Sequence, residues 1–164
     1  MLPRGIDQSL TTHKFLPKMI FLRILVAGTA ALFLCQCSSF EKEWTQSVAN
    51  YQSGKVNAPF GPWQGDWSTI TNNHTGGLRA IVKPSLKKDH YTFRYHATWA
   101  SIFQGSYSVD FPGKKQGDYY IIEGDKSLGI FGNFGHKAIV TNSSFEAKYS
   151  NDKGDLGSFT LKRP

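Results

Sequence analysis

From residue 61 to the C-terminus, apolar and polar residues alternate with a period of two, the pattern of strands with one buried face. The clearest run is Tyr91–Trp99, where Tyr91, Phe93, Tyr95, Ala97 and Trp99 are separated by Thr92, Arg94, His96 and Thr98. Leu78, Ala80 and Val82 alternate with Arg79 and Lys83 until Pro84 ends the run. Tyr107, Val109 and Phe111 alternate with Ser106, Ser108 and Asp110. Trp63–Ile70, Tyr119–Glu123, Lys137–Thr141, Phe145–Tyr149 and Gly157–Leu161 complete eight runs. Clusters of turn-forming residues separate them: Asn72-Asn73 with Thr75-Gly76-Gly77, Lys87-Lys88-Asp89, Pro112-Gly113-Lys114, Gly124-Asp125-Lys126 and Asn151-Asp152-Lys153-Gly154. Phe131–Gly135 reads as a strand edge or as a glycine-rich loop without phosphate-loop spacing.

Eight short runs joined by short turns predict an all-β fold, an eight-stranded antiparallel up-and-down barrel or a closely packed sandwich. Closure is expected because an open sheet would leave two edges for other chains to pair with. An eight-stranded barrel has an interior just wide enough for side chains or one small ligand.

Ahead of the strands the period changes. Phe40, Trp44, Val48 and Tyr51 recur every three to four residues, with Ser38 as the cap and Glu41 three residues on. This predicts an amphipathic helix of about three turns. Its polar face is not rich in Lys or Arg, so it is expected to pack over one end of the following domain rather than lie on a membrane. Ser53-Gly54-Lys55 and Asn57-Ala58-Pro59 form its exit.

The first residues read as an address. Ile24–Leu34 is a run of eleven uncharged residues preceded by Arg23, Lys18 and Lys14, a secretory pattern too short to span a bilayer. Met19 is an alternative start. Leu34-Cys35-Gln36-Cys37-Ser38-Ser39 follows and resembles the bacterial lipobox, which implies lipidation of Cys37, with Cys35 as the other acceptor. Acyl chains would hold the domain on a membrane, each buried CH2 adding about 0.8 kcal/mol. The expected organisation is a leader over residues 1–37, a helix and linker over 38–59, and a barrel over 60–164.

This changes the meaning of the charge. The net charge of +7 falls to +4 beyond residue 37, and the remaining basic residues are scattered, so nucleic acid is not an expected partner. Attraction to anionic headgroups is the better use of it. With Cys35 and Cys37 two apart, neither a disulfide framework nor a four-cysteine zinc site is available.

Gly61-Pro62-Trp63 opens the first strand and Lys162-Arg163 closes the last. This resembles the calycin pattern of lipocalins, fatty-acid-binding proteins and avidin-like barrels. The resemblance implies that Trp63 plugs one end of a barrel beneath a basic side chain, Arg163; the motif repeats as Gly65-Asp66-Trp67, which makes Trp67 a second plug residue. The blocks GPWQGDW, NNHTGGLRAIV and FRYHATW also resemble small exported bacterial lipoprotein domains of unassigned activity.

Candidate chemistry is sparse. His74, His90, His96 and His136 show no metal-ligand spacing, and no metal or cofactor is expected. No serine sits in a nucleophile elbow, and Asp110, Asp118, Glu123 and Asp125 read as solvated turn carboxylates, so no catalysis is expected. Asn73-His74-Thr75 and Asn142-Ser143-Ser144 match glycosylation sequons, which carry little weight beside a bacterial lipid signal. Arg79, Arg94 and His96 are the candidate ligand-binding residues: if the aromatic face of Tyr91–Trp99 points outward, they become polar anchors inside a pocket, and if it points inward their row is solvated. The expectation is an exported, membrane-tethered, non-enzymatic barrel on the periplasmic side of a cell envelope, binding a small apolar or amphiphilic ligand or a protein partner. The alternative is a structural envelope protein whose barrel is filled by its own side chains.

Overall fold

The computed structural model describes residues 39–99, 103–127, 129 and 132–164. Ile24–Leu34, Cys35, Cys37 and the Ser38 cap lie outside the described residues.

One helix, α1 (residues 39–52), precedes eight strands: β1 (Gly61–Thr69), β2 (Thr75–Pro84), β3 (His90–Trp99), β4 (Phe103–Gln116), β5 (Tyr119–Ser127), β6 (Asn133–Val140), β7 (Ser144–Asn151) and β8 (Leu156–Lys162). Each strand pairs antiparallel with its neighbour in sequence, and β1 also pairs with β8, Gln64 opposite Lys162 through Thr69 opposite Gly157. The sheet is therefore a closed up-and-down barrel, not a sandwich. Alternation decides the faces. Trp63, Leu78, Ala80, Val82, Phe93, Tyr95, Val109, Phe111, Ile122, Phe145, Phe159 and Leu161 all point inward and are buried. The rings meet edge to face and offset: Phe93 is 5.8 Å from Tyr95, 6.0 Å from Phe111 and 5.9 Å from Phe145.

Three stretches expected in turns are strand instead. Pro112-Gly113-Lys114 lies inside β4, which pairs with β3 from Phe103 to Pro112 and with β5 only from Gly113 to Gln116. Pro112 stands at this changeover, where its missing N–H leaves no gap in the β5 ladder, and Gly113 donates to the Asp89 carbonyl at 2.9 Å. Gly124-Asp125-Lys126 lies inside β5, opposite His136, Gly135 and Phe134. Glycine is needed at 124 because a Cβ there would stand 2.8 Å from the Phe111 ring. Thr75-Gly76-Gly77 likewise opens β2, and the β1–β2 turn is the shorter stretch before it, with Asn73 in the left-handed region at φ 57°.

The helix lies along the outer wall of β2 and β3 and reaches the closed end with its last turn. Phe40 is fully buried on that wall, its ring 4.8 Å from His96. Arg79 and Arg94 stand over the same ring at 5.1 and 5.4 Å. Ile81 points out of the barrel between two inward residues yet is 2% exposed, beside Glu43 and Ser47 of the helix. Burying two such side chains stabilises docking by roughly 1.5–3 kcal/mol each. Glu41 pairs with Arg79, and Glu43 with Lys83 and Arg94.

Candidate functional site

The two ends of the barrel interior differ. At one end Trp63 is fully buried, and its indole donates to the Pro59 carbonyl at 2.9 Å. The Arg163 guanidinium lies 3.6 Å from the centre of the Trp63 ring and 4.8 Å from that of Tyr51. Its Nη1 donates to the Phe60 and Pro62 carbonyls at 2.8 and 3.0 Å. Burial lowers the Arg163 pKa to about 10, so it remains a cation at neutral pH. This end is closed.

At the other end, where β1 finishes and β6 begins, the rings touch one another, Tyr95 and Tyr107 at 5.2 Å and Tyr95 and Phe159 at 5.8 Å, but leave a space. They surround a cavity of about 150 Å³ walled by Trp67, Tyr95, Tyr107, His136, Tyr149 and Phe159, among others. Local sequence explains how the wall forms. Trp67 is on the same face of β1 as Trp63, and its indole donates to the Thr98 carbonyl at 3.1 Å across Gly76, where a Cβ would lie 2.7 Å from the indole nitrogen. Tyr149 lies over Gly157, where a Cβ would be 2.4 Å from the ring. The rim carries Lys126 and Asp155, one charge of each sign, and Asp155 accepts from the Thr69 hydroxyl at 2.5 Å.

His136 is the chemical centre of this end. Its ring is stacked between Phe111 at 4.7 Å and Phe159 at 5.7 Å. Its Nε2 lies 3.4 Å from the Tyr95 hydroxyl, and its Nδ1 is buried with no hydrogen-bond partner among the described residues. Burial pushes the imidazole pKa down to about 4, so the ring is neutral at physiological pH. The same desolvation raises the Tyr95 and Tyr107 hydroxyls well above the ordinary phenol value. Tyr107 is 41% exposed as a whole residue, although its hydroxyl is desolvated. The interior of the mouth is therefore polar in its hydrogen-bonding groups but uncharged.

Arg79, Arg94 and His96 are placed elsewhere. The aromatic face of β3 points inward, and these three residues point outward, but their row is not simply solvated, because α1 covers it. His96 is 2% exposed, with Nδ1 2.7 Å from the Ser106 hydroxyl. Burial first, and then the nearby Arg79 charge, lower its pKa. His74 lies in the β1–β2 turn, and His90 opens β3 with Nδ1 2.8 Å from the Lys88 carbonyl. Among the described residues, no three His, Cys, Asp or Glu side chains converge as metal ligands would. Asp110 accepts from Thr92 on the outer face of β4, and Glu123 pairs with Lys137 at 3.3 Å in the open. Sequence reasoning missed His136. The signal was present: His136, Ala138 and Val140 share one face of β6, and starting that strand one turn of the alternation earlier places the imidazole inside.

No family model matches the chain, and no curated protein matches it. Among solved structures it is similar to a de novo designed fluorescence-activating β-barrel, at 13% identity and a TM-score of 0.48, over 66% of this chain and 99% of the designed one.

Proposed function

We propose that the chain is a membrane-tethered binding barrel, without catalysis, that holds one small apolar or amphiphilic molecule in the cavity beside Trp67, Tyr107 and His136. The cavity itself carries this reading. Protein interiors have few voids larger than a water molecule. A cavity of about 150 Å³ that opens at one end of the barrel and is lined mainly by aromatic and aliphatic side chains is a concave, largely apolar place for a small molecule to bury its surface. A void of that size accommodates a single-ring molecule and not a long acyl chain. The tether rests on the sequence: the basic leader, the run Ile24–Leu34, and Leu34 three residues before Cys37. Export to the periplasmic side of a bacterial envelope follows from the same segment.

The solid packing around Trp63, Phe93 and Phe145 favours the second reading, a structural envelope protein with no ligand. Native mass spectrometry of the full chain taken from bacterial membranes separates the two. The binding reading expects a bound small molecule that leaves on denaturation. A bare chain whose melting temperature is unmoved by small aromatic molecules contradicts it.

A further inference from the structure

We infer that the cavity at the open end selects an uncharged, planar, single-ring molecule bearing one hydrogen-bonding group, which it presents to the His136–Tyr95 pair. This rests on the binding reading above and narrows it to a ligand class.

Size sets the first limit, because about 150 Å³ is the scale of a cavity that takes benzene. Shape sets the second. The lining is rich in aromatic side chains, Trp67, Tyr95, Tyr107 and Tyr149 among them, and aromatic pairs gain from offset-stacked and edge-to-face contacts that a planar ring can make.

Polarity sets the third. Both faces of the His136 ring are taken by Phe111 and Phe159, so only its edge can hydrogen-bond. That edge is under-used: one contact at the long limit of 3.4 Å, and Nδ1 with no partner among the described residues. A ligand hydroxyl, which can donate or accept, competes for that long contact whichever tautomer the imidazole takes.

Charge sets the fourth. Apart from Lys126 and Asp155, the polar side chains lining the space are the neutral His136 and the tyrosines Tyr95, Tyr107 and Tyr149. At the rim Lys126 is offset by Asp155. An anion or cation would lose its hydration with nothing inside to replace it. The cationic residues Arg79, Arg94 and Lys83 are on the outer wall, held by helix carboxylates.

Phenol, benzene and benzoate test this on the full chain by calorimetric titration at pH 7. Phenol is expected to bind about tenfold more tightly than benzene, the ratio supplied by one net hydrogen bond, and benzoate not to bind. Benzene binding as tightly as phenol, or benzoate binding better than either, overturns the ligand class and leaves the binding reading standing. Failure of all three overturns the binding reading as well. In His136→Leu, checked for fold by circular dichroism, the preference is expected to invert to benzene. If that variant does not fold, the nitrogen-15 shifts of the His136 ring in the wild-type chain serve instead. They are expected to move on adding phenol and to stay fixed on adding benzene; no movement with bound phenol overturns the assignment to His136.

Discussion

Trp63 and Trp67 leave the same strand on the same face, four residues apart, and meet opposite surroundings. Trp63 is sealed by the Pro59 carbonyl, the Phe145 ring edge-on at 5.8 Å and the Arg163 guanidinium. Trp67 is half-buried, satisfies its indole nitrogen on the Thr98 carbonyl and lines the cavity. The repeated glycine-x-tryptophan motif thus supports two different jobs. One end gains stability from complete packing, and the other gives up some of that packing and keeps space. What separates them is how the neighbours sit: at one end a ring and a cation close on the indole, and at the other Trp67 and Tyr149 lie close against Gly76 and Gly157 in the wall.

The largest expected effect tests that contrast directly. Trp63→Ala should destabilise the fold by about 3–5 kcal/mol in denaturant unfolding. Trp67→Ala should cost less than half as much, because its ring already borders empty space. Equal losses would mean that the two ends are packed alike.

A pH series sharpens it. The His136 imidazole titrates near 6.5 when unfolded and near 4 when folded. Below pH 6.5 the unfolded chain binds this proton and the folded chain does not, so stability present above pH 6.5 is lost as the pH falls to about 4. The loss from this group should be on the order of 3 kcal/mol. His136→Phe should remove that slope relative to wild type. A difference curve flat between pH 6.5 and 4 would place His136 in solvent, contrary to its burial among Phe111, Phe159, Tyr95 and Tyr107.

The smallest effect concerns the outer wall. Glu43 is drawn up by burial and drawn down more strongly by Lys83 and Arg94, leaving its carboxyl below the ordinary range. Its pairs are partly exposed, and Glu43→Gln should cost less than about 1 kcal/mol, with a further loss of salt dependence. Hydrogen exchange should rise within residues 39–52 and stay unchanged in β1 and β8. A loss spread over the whole barrel would mean that α1 is part of the core rather than docked upon it.

The barrel was legible because period-two alternation assigns faces without reference to neighbours, and the helix because Phe40, Trp44, Val48 and Tyr51 keep their own period. Pro112-Gly113 and Gly124-Asp125 misled because local turn chemistry describes a residue's freedom, and here Phe111 takes the space over Gly124 while Pro112 sits where no ladder bond is needed. Arg79, Arg94 and His96 were recognisable as an unusual outward row, but alternation alone could not show that the helix would fold back over it. The cavity could not be read at all, since a void depends on how side chains from all eight strands pack together, which no single run records.

The most direct measurement is the set of proton–proton contacts seen by nuclear magnetic resonance between phenol and the full chain. Contacts to Trp67, Tyr107 and His136, with none to Trp63, are the predicted result. Contacts to Trp63, contacts confined to the outer wall around Arg79 and Arg94, or none anywhere would contradict an open end built for a small ring.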